Sequence, residues 1–394
     1  MVVQIRELYM KKVVFDVDGV LLSEEQYFNA SALTVWEILY SRDYMGLPSE
    51  QNDFDSTMIS EGQIAYIRER VWGKDIILRW LYKHNIESTW DMSHICLLGI
   101  FWYMARVYKE KTKGMDTLSF VIESVCDLKK VGQLLMGLPI PTAEKVLELL
   151  DAEVSQAMSG KELLTRIKQL MKYDIQGDLS FVEKFSVFYN LQIDAFENWY
   201  FGDTYYVKQK RKLPYSEGKT GLLIKENSLV PANEILTLFR VLKESGYQLG
   251  IATGRNYLEV EVPFKQLGWK NEIDWAYVAT STDSKNAEEY FDKSSLGKPH
   301  PFLFSCAIWG KSIQLQQQYI EESVILSEED EVWIVGDSDV DFYGSQALGT
   351  KFIGVRNIVD EHDGSARVFE KNQIPCVEKV TDILSIIKMP PNYK

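Results

Sequence analysis

The sequence predicts an α/β fold, a doubly wound parallel sheet with a large all-helical domain inserted into it. Three observations predict this. Residues 12–17 read KVVFDV, a short β-branched run of the kind buried on both faces of a parallel sheet. From about residue 216 onward, strand-like runs alternate with amphipathic segments, as βα units do. The stretch between them carries helical periodicity and few β-branched runs.

Taken in order, 12–17 is one strand, and after Leu22 the character changes for almost two hundred residues. Residues 61–72 (EGQIAYIRERVW), 142–154 (TAEKVLELLDAEV) and 161–173 (KELLTRIKQLMKY) are representative amphipathic helices of this block. The basic, proline- and glycine-containing stretch 208–221 reads as the return linker. Beyond it come a helix through Ile235, Leu238, Phe239 and Leu242 that stops at Gly246, the strand QLGIA (248–252), a helix before Gly268 and the apolar patch WAYVA (275–279). A helix after Pro299, the strand VWIVG (332–336), a short helix ending near Leu348 and the strand KFIGV (351–355) complete the pattern. The expected organisation is a split α/β core, 1–22 with 216–394, and a helical domain, 23–215. A chain of 394 residues is long enough for two such cores.

Composition limits the partners. With 43 Lys and Arg against 57 Asp and Glu, the net charge of −14 repels phosphate backbones and anionic membrane surfaces, so neither nucleic acid nor membrane is expected as a partner. The start, MVVQIRELYMKKVVFDVDG, lacks the apolar core and small-residue cleavage site of a signal peptide, and the most apolar stretch, Ile95 to Met104, falls short of the roughly 20 residues of a membrane span. A cytoplasmic location is the expectation. Cys96, Cys126, Cys306 and Cys376 show no CxxC pair and read as buried free thiols. His84, His94, His300 and His362 form no metal-binding or triad pattern, which leaves the chemistry to carboxylates.

In open parallel sheets ligands bind where strand carboxyl ends meet the loops. The first strand ends in Asp16-Val17-Asp18-Gly19-Val20, two carboxylates one residue apart followed by a glycine that permits a sharp departure. The strand 248–252 ends in Thr253-Gly254-Arg255, with a hydroxyl and backbone N–H groups. Gly297-Lys298-Pro299-His300-Pro301 precedes a helix, and Gly336-Asp337-Ser338-Asp339-Val340-Asp341 closes the strand 332–336.

In this order the four elements resemble the motifs of the haloacid dehalogenase-like (HAD) superfamily: DxDGV, a Thr or Ser after a strand, a Lys, and GDxxxD. The resemblance covers both ends of the chain, and the insertion after the first motif is a family habit, there a helical cap over the active site. It implies a phosphatase in which Asp16 is the nucleophile, Asp18 the general acid and later the base for water, and Thr253, Gly254 and Lys298 hold the transferring phosphoryl group. It implies Mg²⁺ as cofactor, held by Asp337, a carboxylate oxygen of Asp16 and the backbone carbonyl of Asp18, with Asp341 a further ligand or an outer partner. A small phosphorylated metabolite is the implied substrate and an aspartyl-phosphate the implied intermediate.

Elementary electrostatics asks for the same parts. Like charges about 4 Å apart repel by roughly 4 kcal/mol at an effective dielectric of about 20, so clustered aspartates need a cation, and oxygen ligands select a hard one. Each element alone has a plainer reading: DxDG as a turn, Thr253 as a helix cap, Lys298 as a solvated lysine, and Arg255, rather than reaching a substrate anion, as the partner of a surface carboxylate. GDSDVD is no calcium loop, because its twelfth position is Leu348, and Glu217-Gly218-Lys219-Thr220 is no phosphate-binding P-loop, because Leu213 stands where a glycine is required. Asp283 and Asp339 read as turn-forming, and Phe196, Trp199, Tyr200, Tyr205 and Tyr206 as core rather than pocket. Among rival activities, a phosphomutase shares every motif, while a dehalogenase has no use for Asp18 or a metal. A phosphonate-cleaving enzyme needs a Schiff-base lysine from the insertion. A non-catalytic binding or regulatory protein on a vestigial core is the alternative of another class, and the intact set of Asp16, Asp18, Thr253, Lys298, Asp337 and Asp341 argues against it.

Overall fold

The run that follows Met10 lies at the middle of a six-stranded sheet. A computed structural model of the chain describes residues 9–49, 55–154, 158, 160–321, 324, 326–356 and 364–387; His362 and the first eight residues, on which two of the expectations above bear, lie outside them. Contacts divide the chain into an α/β unit, up to Glu24 and from Ile224 on, and a helical unit, Glu25–Leu223.

The strands of the α/β unit, from edge to edge, are Val278–Ala279, Gln248–Ala252, Lys11–Phe15, Glu331–Gly336, Lys351–Val355 and Cys376–Val377. Every pairing is parallel. Side chains alternate across a strand, so Val13 and Phe15 enter one core with Leu238, Phe239, Val260 and Phe264, while Val14 enters the other with Phe302, Phe304, Ile308 and Phe342. Those partners come from Ala232–Glu244 and Tyr257–Gln266 on one face and from Phe302–Trp309 and Asp339–Leu348 on the other. Helices cover both faces, so beyond their first residue Lys11–Phe15, Gln248–Ala252 and Lys351–Val355 are buried. The patch 275–279 is mostly a short 3₁₀ turn, and only Val278–Ala279 pairs as an edge strand.

The helical unit is built around Glu25–Tyr40, buried nearly all round, which packs against Glu61–Trp72, Thr89–Lys111 and Val187–Lys210. Shorter helices, among them Val125–Leu135, Ala143–Glu153 and Gly160–Met171, surround these. The unit is not purely helical: Leu118–Ser119 pairs in parallel with Ile175–Gln176, a two-residue ladder too short to leave a periodic signal in sequence. Its end also lies later than residue 215. The main chain of Gly202 and Gly221 approaches so closely that a Cβ on Gly221 would stand 2.6 Å from the Gly202 nitrogen, and Leu222 N–H donates to the carbonyls of Trp199 and Tyr200. The return segment thus stays packed on the helix Val187–Lys210 until Leu223.

All four cysteines are free; Cys96 and Cys306 are buried, whereas Cys126 is exposed and Cys376 half-buried, both contrary to expectation. Cys126 lies in the first turn of the amphipathic helix Val125–Leu135, whose inward positions are Leu128, Val131, Gly132 and Leu135. Among the described residues no helix is long and apolar enough to cross a membrane.

Candidate active site

Sheet register gathers the motif residues. Phe15 pairs with Ile251 on one side and Val335 on the other, so Asp16 follows by one residue, Thr253 by two on one neighbour and Asp337 by two on the other. Asp16 N–H still donates to the Val335 carbonyl at 2.9 Å, and its side chain is buried. The chain then turns sharply: Leu21 and Leu22 N–H both donate to the Val17 carbonyl, with Gly19 at φ +66°. That left-handed conformation favours glycine.

Carboxylate oxygens of Asp16, Asp337 and Asp341 lie within 4.8 Å of one another. The Lys298 ammonium bridges two of them, donating to Asp16 Oδ1 at 2.7 Å and to Asp341 Oδ1 at 2.6 Å. Asp341 serves the helix as well. Its Oδ2 accepts from the Ser338 hydroxyl at 2.7 Å, and the Ser338 hydroxyl caps the Asp341 N–H, which closes a capping box at the start of Asp339–Leu348. Gly336 makes room for this, since a Cβ there would sit 2.5 Å from that of Asp341.

Burial pushes the Asp16 carboxyl up to about 7; Lys298 works against that rise, while Asp341 and Asp18 add to it. Burial disfavours the Lys298 charge too, yet Asp16 and Asp341 hold it above the ordinary lysine range. Three carboxylates facing one ammonium leave an excess of negative charge in a poorly solvated place, and the donors are all oxygen. The residues present fit a hard divalent cation such as Mg²⁺.

A family model described as haloacid dehalogenase-like hydrolase matches residues 203–355, the span that carries Thr253, Lys298, Asp337 and Asp341. That part of the chain is similar to the haloacid dehalogenase-like hydrolases. A crystal structure from the Northeast Structural Genomics Consortium aligns with 96% of this chain and 98% of its own at 28% identity and a TM-score of 0.81, so a fold of this kind is shared over nearly the whole length. More distant are a HAD phosphatase from Thermococcus onnurineus (14% identity, 96% and 99% of the two chains, TM-score 0.37) and a HAD family hydrolase from Deinococcus radiodurans R1 with bound phosphate and sodium (10%, 97% and 96%, TM-score 0.35). Their likeness is too low to inform the site. No curated protein matches the chain.

The other motif residues stand around the cluster's strand ends. Thr253 is fully buried, its N–H on the Ala279 carbonyl and its hydroxyl oxygen accepting the Arg255 N–H at 3.1 Å. A Cβ on Gly254 would meet nothing within 4 Å, so the main chain there faces open space. The Asp18 side chain lies outside the three-carboxylate cluster. Instead the Arg255 guanidinium donates to Asp18 Oδ1 from Nε at 2.9 Å and from Nη2 at 2.6 Å, and to Glu226 Oε1 from Nη1 at 3.1 Å.

The expectation that Arg255 pairs with a surface carboxylate therefore fails, because Arg255 is only 2% exposed and Glu226 is buried with it. No local signal marks it, because both acids come from other stretches of the chain. The three described histidines play no part in the cluster: His84 and His94 contact backbone carbonyls in the helical unit, and His300 Nδ1 accepts the Phe302 N–H.

Proposed function

We propose that the chain is a Mg²⁺-dependent phosphohydrolase that acts on a small phosphorylated metabolite through an aspartyl-phosphate on Asp16. The observation that carries the reading is the buried Asp16 carboxylate, set at a strand tip beside Lys298 and within one cluster with Asp337 and Asp341. Asp16, Asp337 and Asp341 would hold the cation, with the backbone of Asp18 as the family resemblance implies. Bound there, Mg²⁺ neutralises charge on the phosphoryl oxygens and on the carboxylates facing them.

The side chains do the rest. Asp16 attacks phosphorus, and the ester P–O bond breaks as Asp18 gives its proton to the departing oxygen. Lys298 and Thr253 stabilise the transferring group by charge and hydrogen bonding. Asp18, now a carboxylate, takes a proton from water as that water attacks the phosphorus, which returns Asp16 and releases phosphate. The helical unit Glu25–Leu223 takes the place of a cap that selects the substrate and excludes water.

A panel of phosphorylated metabolites assayed with Mg²⁺ and with chelator tests this. Turnover of at least one member that stops in chelator and returns with Mg²⁺ is the expected result. Full activity in excess chelator would overturn the metal role, and Ca²⁺ should substitute poorly because it settles for a looser, larger shell.

A further inference from the structure

A guanidinium taken out of water is costly unless its N–H groups find acceptors, so the surroundings of buried Arg255 are informative. One edge of its planar fork is fixed by Glu226 Oε1 and, through Nη1 at 3.3 Å, by the Glu259 carbonyl. The other edge delivers both of its N–H groups, from Nε and Nη2, to a single oxygen of Asp18, Oδ1. A guanidinium only donates, so an oxygen that receives both bonds cannot turn a hydroxyl toward it. A proton carried by Asp18 in this arrangement resides on Oδ2.

Glu226 lies where the chain re-enters the α/β unit. Departing and returning segments pair there, with Ser23 N–H on the Asn227 carbonyl at 2.9 Å and Leu229 N–H on the Leu21 carbonyl at 3.2 Å. Arg255 thus joins three stretches of the unit: the first motif, the end of the strand Gln248–Ala252, and the re-entry segment.

We propose that Arg255 is a positioning residue which pins Oδ1 of Asp18 so that Oδ2 delivers the proton to the leaving oxygen, and that Glu226 fixes the guanidinium for this task. The inference rests on the reading of Asp18 as general acid given above. Its consequence is specific to the leaving group. A misaligned acid slows departure of a poor leaving group far more than departure of one that needs no proton.

The test uses the full chain with Mg²⁺ and two esters of similar shape, 4-nitrophenyl phosphate and phenyl phosphate, comparing kcat/KM in Arg255→Lys and Glu226→Gln. Lysine keeps the charge but not the fork. In Arg255→Lys the ratio of kcat/KM for the nitrophenyl ester to that for the phenyl ester should rise about tenfold, a fraction of what general acid catalysis contributes. Glu226→Gln, which preserves shape, should shift the ratio the same way by a smaller factor and covers the case in which the arginine variant does not fold. A ratio that stays at the wild-type value in the folded variants, whatever the loss in absolute rate, would overturn the proposal and leave Arg255 a structural ion pair. Turnover that persists in Asp16→Asn would instead overturn the underlying reading, and the proposal with it.

Discussion

Gly19 and Asp337 stand so close that a Cβ on Gly19 would lie 1.7 Å from Oδ2 of Asp337. The turn after the first strand and the carboxylate at the end of a neighbouring strand therefore share one space, and only a residue without a side chain allows it. Gly19→Ala should displace the Asp337 carboxylate. It also places a side chain at φ +66°, a conformation that costs about 1–2 kcal/mol for an L-residue. Calorimetric titration should show Mg²⁺ affinity reduced by at least about tenfold, roughly the effect of moving a supporting group at a metal site. An alanine variant that binds Mg²⁺ as the wild type does would show that Asp337 is not a ligand.

Cation binding should be linked to protons. Burial lifts Asp16 to about 7, above its value in the unfolded chain, so its contribution to the metal-free fold is present at low pH and is lost as pH rises through 7. Mg²⁺ requires the ionised form. Apparent Mg²⁺ affinity should therefore increase from pH 6 to pH 8, with proton release upon binding near pH 6, seen as a dependence of titration heat on the buffer. Melting temperature is the poorer readout, because Lys12, buried on the Ala307 and Ile308 carbonyls and lowered to about 7 by that burial, acts with the opposite sign. Its contribution is lost as pH falls through 7. Mg²⁺ affinity independent of pH over this range would contradict the assignment of Asp16 to the cluster.

Much of this site was legible because its residues sit at strand ends, where an apolar run stops and polar residues begin at once. Asp16, Thr253 and Asp337 are read from that transition, and the parallel register follows from strand and helix alternation. Arg255 was misread for a physical reason. Its partners, Asp18 and Glu226, come from stretches 237 and 29 residues away, and sequence carries no local sign that a loop arginine will be buried between two acids. The end of the helical unit was misplaced because proline and glycine mark a loop but not what the loop packs on; Gly202 and Gly221 are needed for a close approach that no periodicity reports. Lys219 is a similar case. Beyond the rejected P-loop reading, nothing in its neighbours foretells its ion pair.

That ion pair supplies a stability prediction for the helical unit. Lys219 Nζ lies 2.9 Å from Glu37 Oε1, with both side chains almost fully buried, and it also donates to Asn198 Oδ1 at 2.7 Å and the Ser216 carbonyl at 2.9 Å. Burial already pushes the Glu37 carboxyl up, and Lys219 opposes this. Lys219→Met leaves a buried carboxylate without its counter-charge and should destabilise the fold by about 3–5 kcal/mol, measured by urea unfolding at neutral pH. The deficit should shrink as pH is lowered and Glu37 takes a proton, and Glu37→Gln in the same chain should recover part of it. A loss below about 1 kcal/mol, the range of an exposed pair, would show that the pair is open to solvent.

The central claim is that phosphate is transferred to Asp16 and that Asp18, one residue further on, handles protons. Intact-mass spectrometry after rapid acid quench of the Mg²⁺-loaded protein with 4-nitrophenyl phosphate tests it most directly. The leaving group departs without a proton, so Asp18→Asn should still be phosphorylated and, lacking its base for water, accumulate the added phosphoryl mass. Asp16→Asn should show no added mass and no hydrolysis. Phosphorylation of Asp16→Asn, with none in Asp18→Asn, would exchange the two roles, and wild-type turnover by both variants would contradict the mechanism as a whole.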